Sequence, residues 1–249
     1  MPQPLSQAEA VRTFVHIQKP SQVMSLGLRL ALRLMLIPAG GAVILFGSAG
    51  TSLYWQGWVF LAAAALPAIF VISQLARRDP EMTERRLRSG EKVKAQRTLA
   101  RWAKPIILAA FFVPGLDFRL GWSRTRVGSV PLWLTVLADV LVLVSVLFVG
   151  WVVNINRFAS RTIRVVRGQT VISEGPYCLV RHPMYAGSLM LWLAMPLALG
   201  SWVAWPAFAL LIPFYVLRLL NEEKVLTLQL NGYAAYCKRT PFRLLPWVW

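Results

Sequence analysis

The chain has 249 residues, of which 57% are hydrophobic and only 15% charged, where a soluble domain carries about 25% charged residues. That excludes an ordinary water-soluble fold, because so few polar groups cannot cover the surface. The net charge is +17, but the basic residues sit between apolar runs, where anionic headgroups and the positive-inside rule favour them. They come with no groove-reading motif, so nucleic acid is not an expected partner.

The first 25 residues hold Glu9, Arg12 and Lys19 without an apolar core, so no cleavable signal peptide is expected. Apolar runs then follow at 28–50, 57–75, 105–116, 131–153, 185–199 and 203–220. A helix of roughly 20 residues crosses a hydrocarbon core, so the prediction is an all-α, polytopic transmembrane helical bundle of roughly five to six spans. The third run is short and reads as a tilted or re-entrant helix. Arg29 and Arg33 open the first run, placed to snorkel to headgroups, and Trp55 and Trp58 suit an interfacial belt. Gly200-Ser201-Trp202 leaves room only for a tight hairpin between the last two runs.

Charge orients the stack. Segment 76–104 is strongly basic, segment 154–182 carries Arg157, Arg161, Arg164, Arg167 and Arg181, and the tail carries Lys224, Lys238, Arg239 and Arg243. With six crossings these fall on one face, which predicts cytoplasmic N- and C-termini. Glu84, Arg85, Arg88 and Lys92 have helical spacing, so 76–104 reads as a solvated or interfacial helix. The expected organisation is a transmembrane region over 1–153 and a C-terminal region over 154–249, with the candidate chemistry of the latter on the cytoplasmic side.

Two cysteines, Cys178 and Cys237, and two histidines, His16 and His182, supply neither a disulfide framework nor a metal-ligand set, so no metal is expected. The informative stretch is 168–188. Val171-Ile172 reads as a short extended segment, Gly175-Pro176 as a turn, and Pro183 as the first turn of the fifth membrane helix. Arg181 and His182 then lie at a positive helix N-terminus, an arrangement that attracts a carboxylate or phosphate. A headgroup anchor and a plain helix cap are the alternative readings of these two residues. A second cluster, Arg218 to Glu223, places Arg218 and Glu222 on one face at i, i+4, either as a simple ion pair or as part of a site. Leu226, Leu230 and Tyr233 make 221–236 an amphipathic helix lying on the membrane or roofing the site.

Gly175-Pro176-Tyr177 followed by Arg181-His182-Pro183-Met184-Tyr185-Ala186-Gly187 resembles the signature of the isoprenylcysteine carboxyl methyltransferases and their relatives, the phospholipid N-methyltransferases. Glu222-Glu223, Tyr233, Tyr236 and Arg239-Thr240-Pro241 resemble the family's C-terminal element, although Leu230 to Tyr233 is one residue shorter than the usual spacing. The resemblance covers roughly 154–249. It implies an integral-membrane methyltransferase that uses S-adenosyl-L-methionine, bound between the two motifs and roofed by the C-terminal helix. It further implies that Gln169, Thr170, Val171 and Ile172 line the nucleoside side, that Tyr177, His182, Pro183, Met184 and Tyr185 hold the cofactor, and that Glu222 holds one of its polar groups. Arg218 falls at the family's substrate contact, and Arg181 is a further residue for steering a substrate carboxylate. The implied acceptor is a lipophilic or lipidated molecule reached from membrane lipids, of the isoprenylcysteine carboxylate type or a phospholipid amine, and the implied location is the cell inner (plasma) membrane. Sterol reductases resemble this family near the C-terminus, which leaves a nicotinamide-dependent membrane reductase as an alternative, and a non-catalytic scaffold as another.

Overall fold

A computed structural model describes residues 25–88, 94–158, 165 and 168–249. The reading of the extreme N-terminus, Lys92, Arg161, Arg164 and Arg167 lie outside the described residues. The protein is a helical membrane bundle, with no strand among the described residues. Among the described residues, three helices are long and apolar enough to cross a membrane: α1 (Leu26–Ala49), α2 (Trp55–Arg78) and α6 (Leu132–Ile155). Between them lie α3 (Pro80–Arg88), α4 (Lys94–Leu120) and the short α5 (Trp122–Arg126). After α6 come a 3-10 turn (Gly175–Cys178), α7 (Pro183–Ala198), α8 (Trp205–Ala209), α9 (Leu211–Gln229) and α10 (Tyr233–Arg239).

Local chemistry sets these boundaries. Ser25 caps α1 by accepting from the Leu28 amide, and Gly50, at φ 69°, closes it in the left-handed region that favours glycine. Asp79 joins three elements: its amide ends α2, its Oδ1 accepts from the Met82 amide at 3.0 Å to start α3, and its Oδ2 pairs with Arg157 at the end of α6. Pro183 opens α7 at a position that needs no amide donor. Where small residues meet, the helices come very close. A Cβ on Gly150 of α6 would lie 2.6 Å from Val71 of α2, and one on Gly187 of α7 would lie 2.7 Å from Phe148 of α6.

Several expectations need correction. The short third run is only the apolar part of the 27-residue α4, which begins inside the basic segment and carries Pro105 and Pro114 within it. Segment 76–104 is therefore divided, its first part forming α3 and its last part the first turns of α4. The last run is broken at Leu210, because Pro213 cannot donate to the preceding turn, and the chain restarts as α9. The amphipathic helix over 221–236 is likewise discontinuous. Residues 221–229 prolong α9, Leu230 is extended, and Tyr233 starts the separate α10. Arg29 and Arg33 have partners within the protein. Arg29 pairs with Glu84 at 2.8 Å and Arg33 donates to the Leu87 carbonyl at 3.1 Å, so both tie α1 to α3.

The loops gather at two ends. At one end Tyr54 donates to the Leu199 carbonyl at 2.5 Å, and buried Asp117 accepts from the Ser123 amide at 2.7 Å and from the hydroxyls of Ser123 and Ser201. At the other end lie α3, the end of α6, the 3-10 turn, the start of α7, and α10. The sequence motifs all fall at this second end.

Candidate functional site

The site is built from the start of α7, the last turns of α9 and the C-terminal tail. Glu223 is its buried hub. Its Oε1 lies 2.8 Å from Arg181 Nη1 and 3.3 Å from His182 Nε2, and its Oε2 lies 2.9 Å from Arg243 Nε. Burial alone would raise its pKa, but the hydrogen bonds from His182 and Arg243 and the charge of Arg181 outweigh that, holding the carboxyl down at about 2. The tail closes over the same point. The amides of Arg181 and His182 donate to the Phe242 and Arg243 carbonyls, both at 2.9 Å, and Arg181 Nη2 donates to the Pro241 carbonyl at 2.9 Å.

The anion expected at the α7 N-terminus is therefore the protein's own. An internal carboxylate on α9, already held in place by the fold, occupies the position that the sequence reading gave to a ligand carboxylate. The Arg181 and His182 amides, expected to be open to an anion, are satisfied by the tail instead. His182 also stacks on Tyr185, with ring centroids 5.7 Å apart.

Glu222 behaves differently from its neighbour. The Tyr185 hydroxyl donates to its Oε2 at 2.5 Å, and Arg218 Nε donates to that same hydroxyl at 3.1 Å. The i, i+4 pair read from sequence is thus bridged by a tyrosine from another helix. Met184 packs between Leu75, Met82 and Val153 on one side and Tyr185, Leu219 and Leu244 on the other. Pro183 is buried at the helix start.

Tyr177 is buried in the 3-10 turn, accepts from Asn156 Nδ2 at 3.0 Å, and through its carbonyl accepts from the Tyr236 hydroxyl at 2.8 Å. Burial pushes its phenol up to about 12, with Glu222 adding to the rise and Arg86 opposing it, so both charged groups lie close by. Of the 169–172 segment, Val171 packs on the cluster of Leu230, Tyr233 and Tyr236, Gln169 and Ile172 are half-buried, and Thr170 is exposed. The structure thus brings Tyr177, Arg181, His182, Pro183, Met184, Tyr185, Arg218 and Glu222 to one end of the bundle, with Val171 joined to it through α10.

Two buried polar groups here lack hydrogen-bond partners: the Tyr233 hydroxyl and Arg181 Nε. Burial and the nearby Glu223 push the Tyr233 phenol upward, keeping it a donor. Two orphaned donors close to a carboxylate are complementary to an α-amino acid group, which presents a carboxylate and an ammonium. This donor set fits the methionine end of S-adenosylmethionine.

Sequence reasoning gave no role to Glu223, to the Tyr233 hydroxyl, or to Arg243 as more than a membrane anchor. One signal for Glu223 was present. It stands four residues after Leu219, so it shares the face of a completely buried leucine, although Glu222, three residues after that leucine, lies near the same face.

Residues 133–231 match the family described as phospholipid methyltransferase. A Delta(14)-sterol reductase of Mus musculus is 33% identical over 94 residues, which is 35% of this chain. The matched stretch spans only 22% of that relative's length.

Proposed function

We propose that this membrane protein, which through residues 133–231 belongs to the phospholipid methyltransferase family, transfers a methyl group from S-adenosyl-L-methionine to a lipophilic acceptor, a carboxylate of the isoprenylcysteine type. What supports this reading is that the Tyr185-bound Glu222 and the orphaned donors of Tyr233 and Arg181 are gathered at one end of the bundle. The cofactor, when bound, supplies an electrophilic methyl group on a sulfonium.

The chain's own residues hold and orient. Glu222 receives the ammonium, and the Tyr233 hydroxyl and Arg181 Nε receive the carboxylate. Gln169, Thr170, Val171 and Ile172 flank the nucleoside side, with Tyr177, Pro183 and Met184 forming the apolar wall. His182 acts through Glu223, fixing the start of α7. Arg218 orients the acceptor, and Tyr185 keeps that guanidinium in register with Glu222. No general base is needed, because a carboxylate acceptor is already ionised and positioning supplies most of the rate. The site end carries the basic segments, which supports a cytoplasmic orientation in a plasma membrane. A tag at residue 90 and one at the C-terminus should then both read as cytoplasmic.

The sterol reductase likeness favours a second reading, a nicotinamide site in the same region. Calorimetry on detergent-purified protein separates the two. Saturable binding of S-adenosylhomocysteine without NADPH binding supports the methyltransferase, and the reverse result overturns it.

A further inference from the structure

The proposed function leaves open how an acceptor embedded in the bilayer reaches a site covered by the C-terminal tail. The N-terminal half of the chain, outside the family match, contains a cleft of about 240 Å³ between α1, α2 and α3. Its walls are Leu34 and Ile37 of α1 and Ile69 and Ile72 of α2, with Ala65 and Ala68 leaving space where larger side chains would fill it. Ile37 is 71% exposed and Ile69 38%, so in a membrane the cleft opens sideways to lipid.

Its other end is cationic. Arg33 and Arg86 both line it, and Arg33 is held there by its bond to the Leu87 carbonyl. Arg86 belongs to α3, whose start Asp79 ties to Arg157 at the end of α6, so the charged mouth adjoins the site end of the bundle. Leu75, at the same end, packs with Met82 and Val153 against Met184 of the site. The cleft is therefore apolar towards the lipid, doubly basic at its mouth, and continuous in packing with the residues assigned to the cofactor.

We propose that this cleft is the acceptor's way in, and that the acceptor is an acid-headed amphiphile whose chain lies between α1 and α2 and whose anionic head is received by Arg33 and Arg86. Two guanidiniums at the end of an apolar slot select a negative head over a neutral one. The large groove between α6, α7 and the tail has an almost wholly apolar lining, Leu137, Leu141, Leu193 and Ile212 among it, and offers no such charge. The inference rests on the methyltransferase reading for the word acceptor, but not for the binding itself.

The test uses the full chain in nanodiscs of neutral phosphatidylcholine and displacement of a fluorescent fatty acid by oleate or by oleyl alcohol. Oleate should displace the probe at least tenfold more effectively than the alcohol. Arg86→Gln should remove that preference, and Ala65→Trp, which fills the slot, should remove displacement altogether. A thermal melt within a few degrees of the parent chain reports that each variant is folded. Equal displacement by acid and alcohol, or an unchanged preference in folded Arg86→Gln, overturns the proposal. Oleate binding in a protein that does not bind S-adenosylhomocysteine would uphold the cleft and refute the methyltransferase reading.

Discussion

The two ends of the bundle each bury a carboxylate with several partners, but with opposite chemistry. Asp117 accepts from one amide and two hydroxyls, all neutral, and these donors join α4, α5 and the turn after α7. The Ser123 hydroxyl in turn accepts from the Trp202 and Val203 amides at 2.9 and 3.2 Å. Glu223 instead faces Arg181, His182 and Arg243. A carboxylate among neutral donors can hold loops together. One among cations also fixes guanidiniums in space, and at that end orphaned donors remain beside it. The Asp117 end thus holds loops together, while the Glu223 end both holds the fold and fixes cations beside unpartnered donors.

The largest effect should come from Glu223. Glu223→Ala leaves His182 and the Arg181 side chain buried, and Arg243 half-buried, without their shared partner, a loss of roughly 3–5 kcal/mol in stability. A thermal melt in detergent should fall steeply or show no folded protein. Asp117→Ala strands hydroxyls and not charges, so it should cost less, about 1–3 kcal/mol, and leave ligand affinity unchanged. If the two variants lose equal stability, the distinction between the ends fails.

Acid titration sharpens the same contrast. The folded pKa of Glu223 is depressed to about 2 from 4.5, so its contribution is complete above pH 4.5 and disappears as pH falls towards 2. Linkage sets this contribution at roughly 3 kcal/mol. Denaturation between those limits should be shallower in Glu223→Gln than in the parent chain.

Arg218 should show a smaller effect on binding and a large one on turnover. Arg218→Ala is expected to keep S-adenosylhomocysteine affinity nearly intact while methyl transfer collapses, and Arg218→Lys should rescue little, because a point charge cannot replace the planar fork. Loss of affinity and turnover in equal proportion would make Arg218 a support for Glu222 only. The mildest change is Tyr185→Phe, which removes the bridge between Arg218 and Glu222 at a cost of about 1 kcal/mol.

Much of this architecture was legible in the sequence, for definite reasons. Long apolar runs announce helices, and Pro183 after Arg181-His182 announces a helix start. Charge spacing on α9 picked out Arg218 and Glu222, yet spacing within one helix cannot reveal Tyr185 between them, because it arrives from α7. The same limit hid the pairing of Arg181 with Glu223 across 42 positions and the closure of the tail over the α7 start. A basic residue beside a helix N-terminus looks open to a ligand until the fold delivers an internal carboxylate. The division of 76–104 and the breaks at Leu210 and Leu230 were missed because apolar periodicity continues across them, while the backbone follows Pro213 and Gly232.

The central claim is that Glu222, and not Glu223 or Asp117, receives the charged group of the cofactor. Titration calorimetry of S-adenosylhomocysteine into the parent chain, Glu222→Ala and Asp117→Asn tests it directly. The account predicts a loss of roughly 1–3 kcal/mol in Glu222→Ala, the usual loss for a charged hydrogen bond, with Asp117→Asn matching the parent. Equal affinity in all three folded proteins would contradict it.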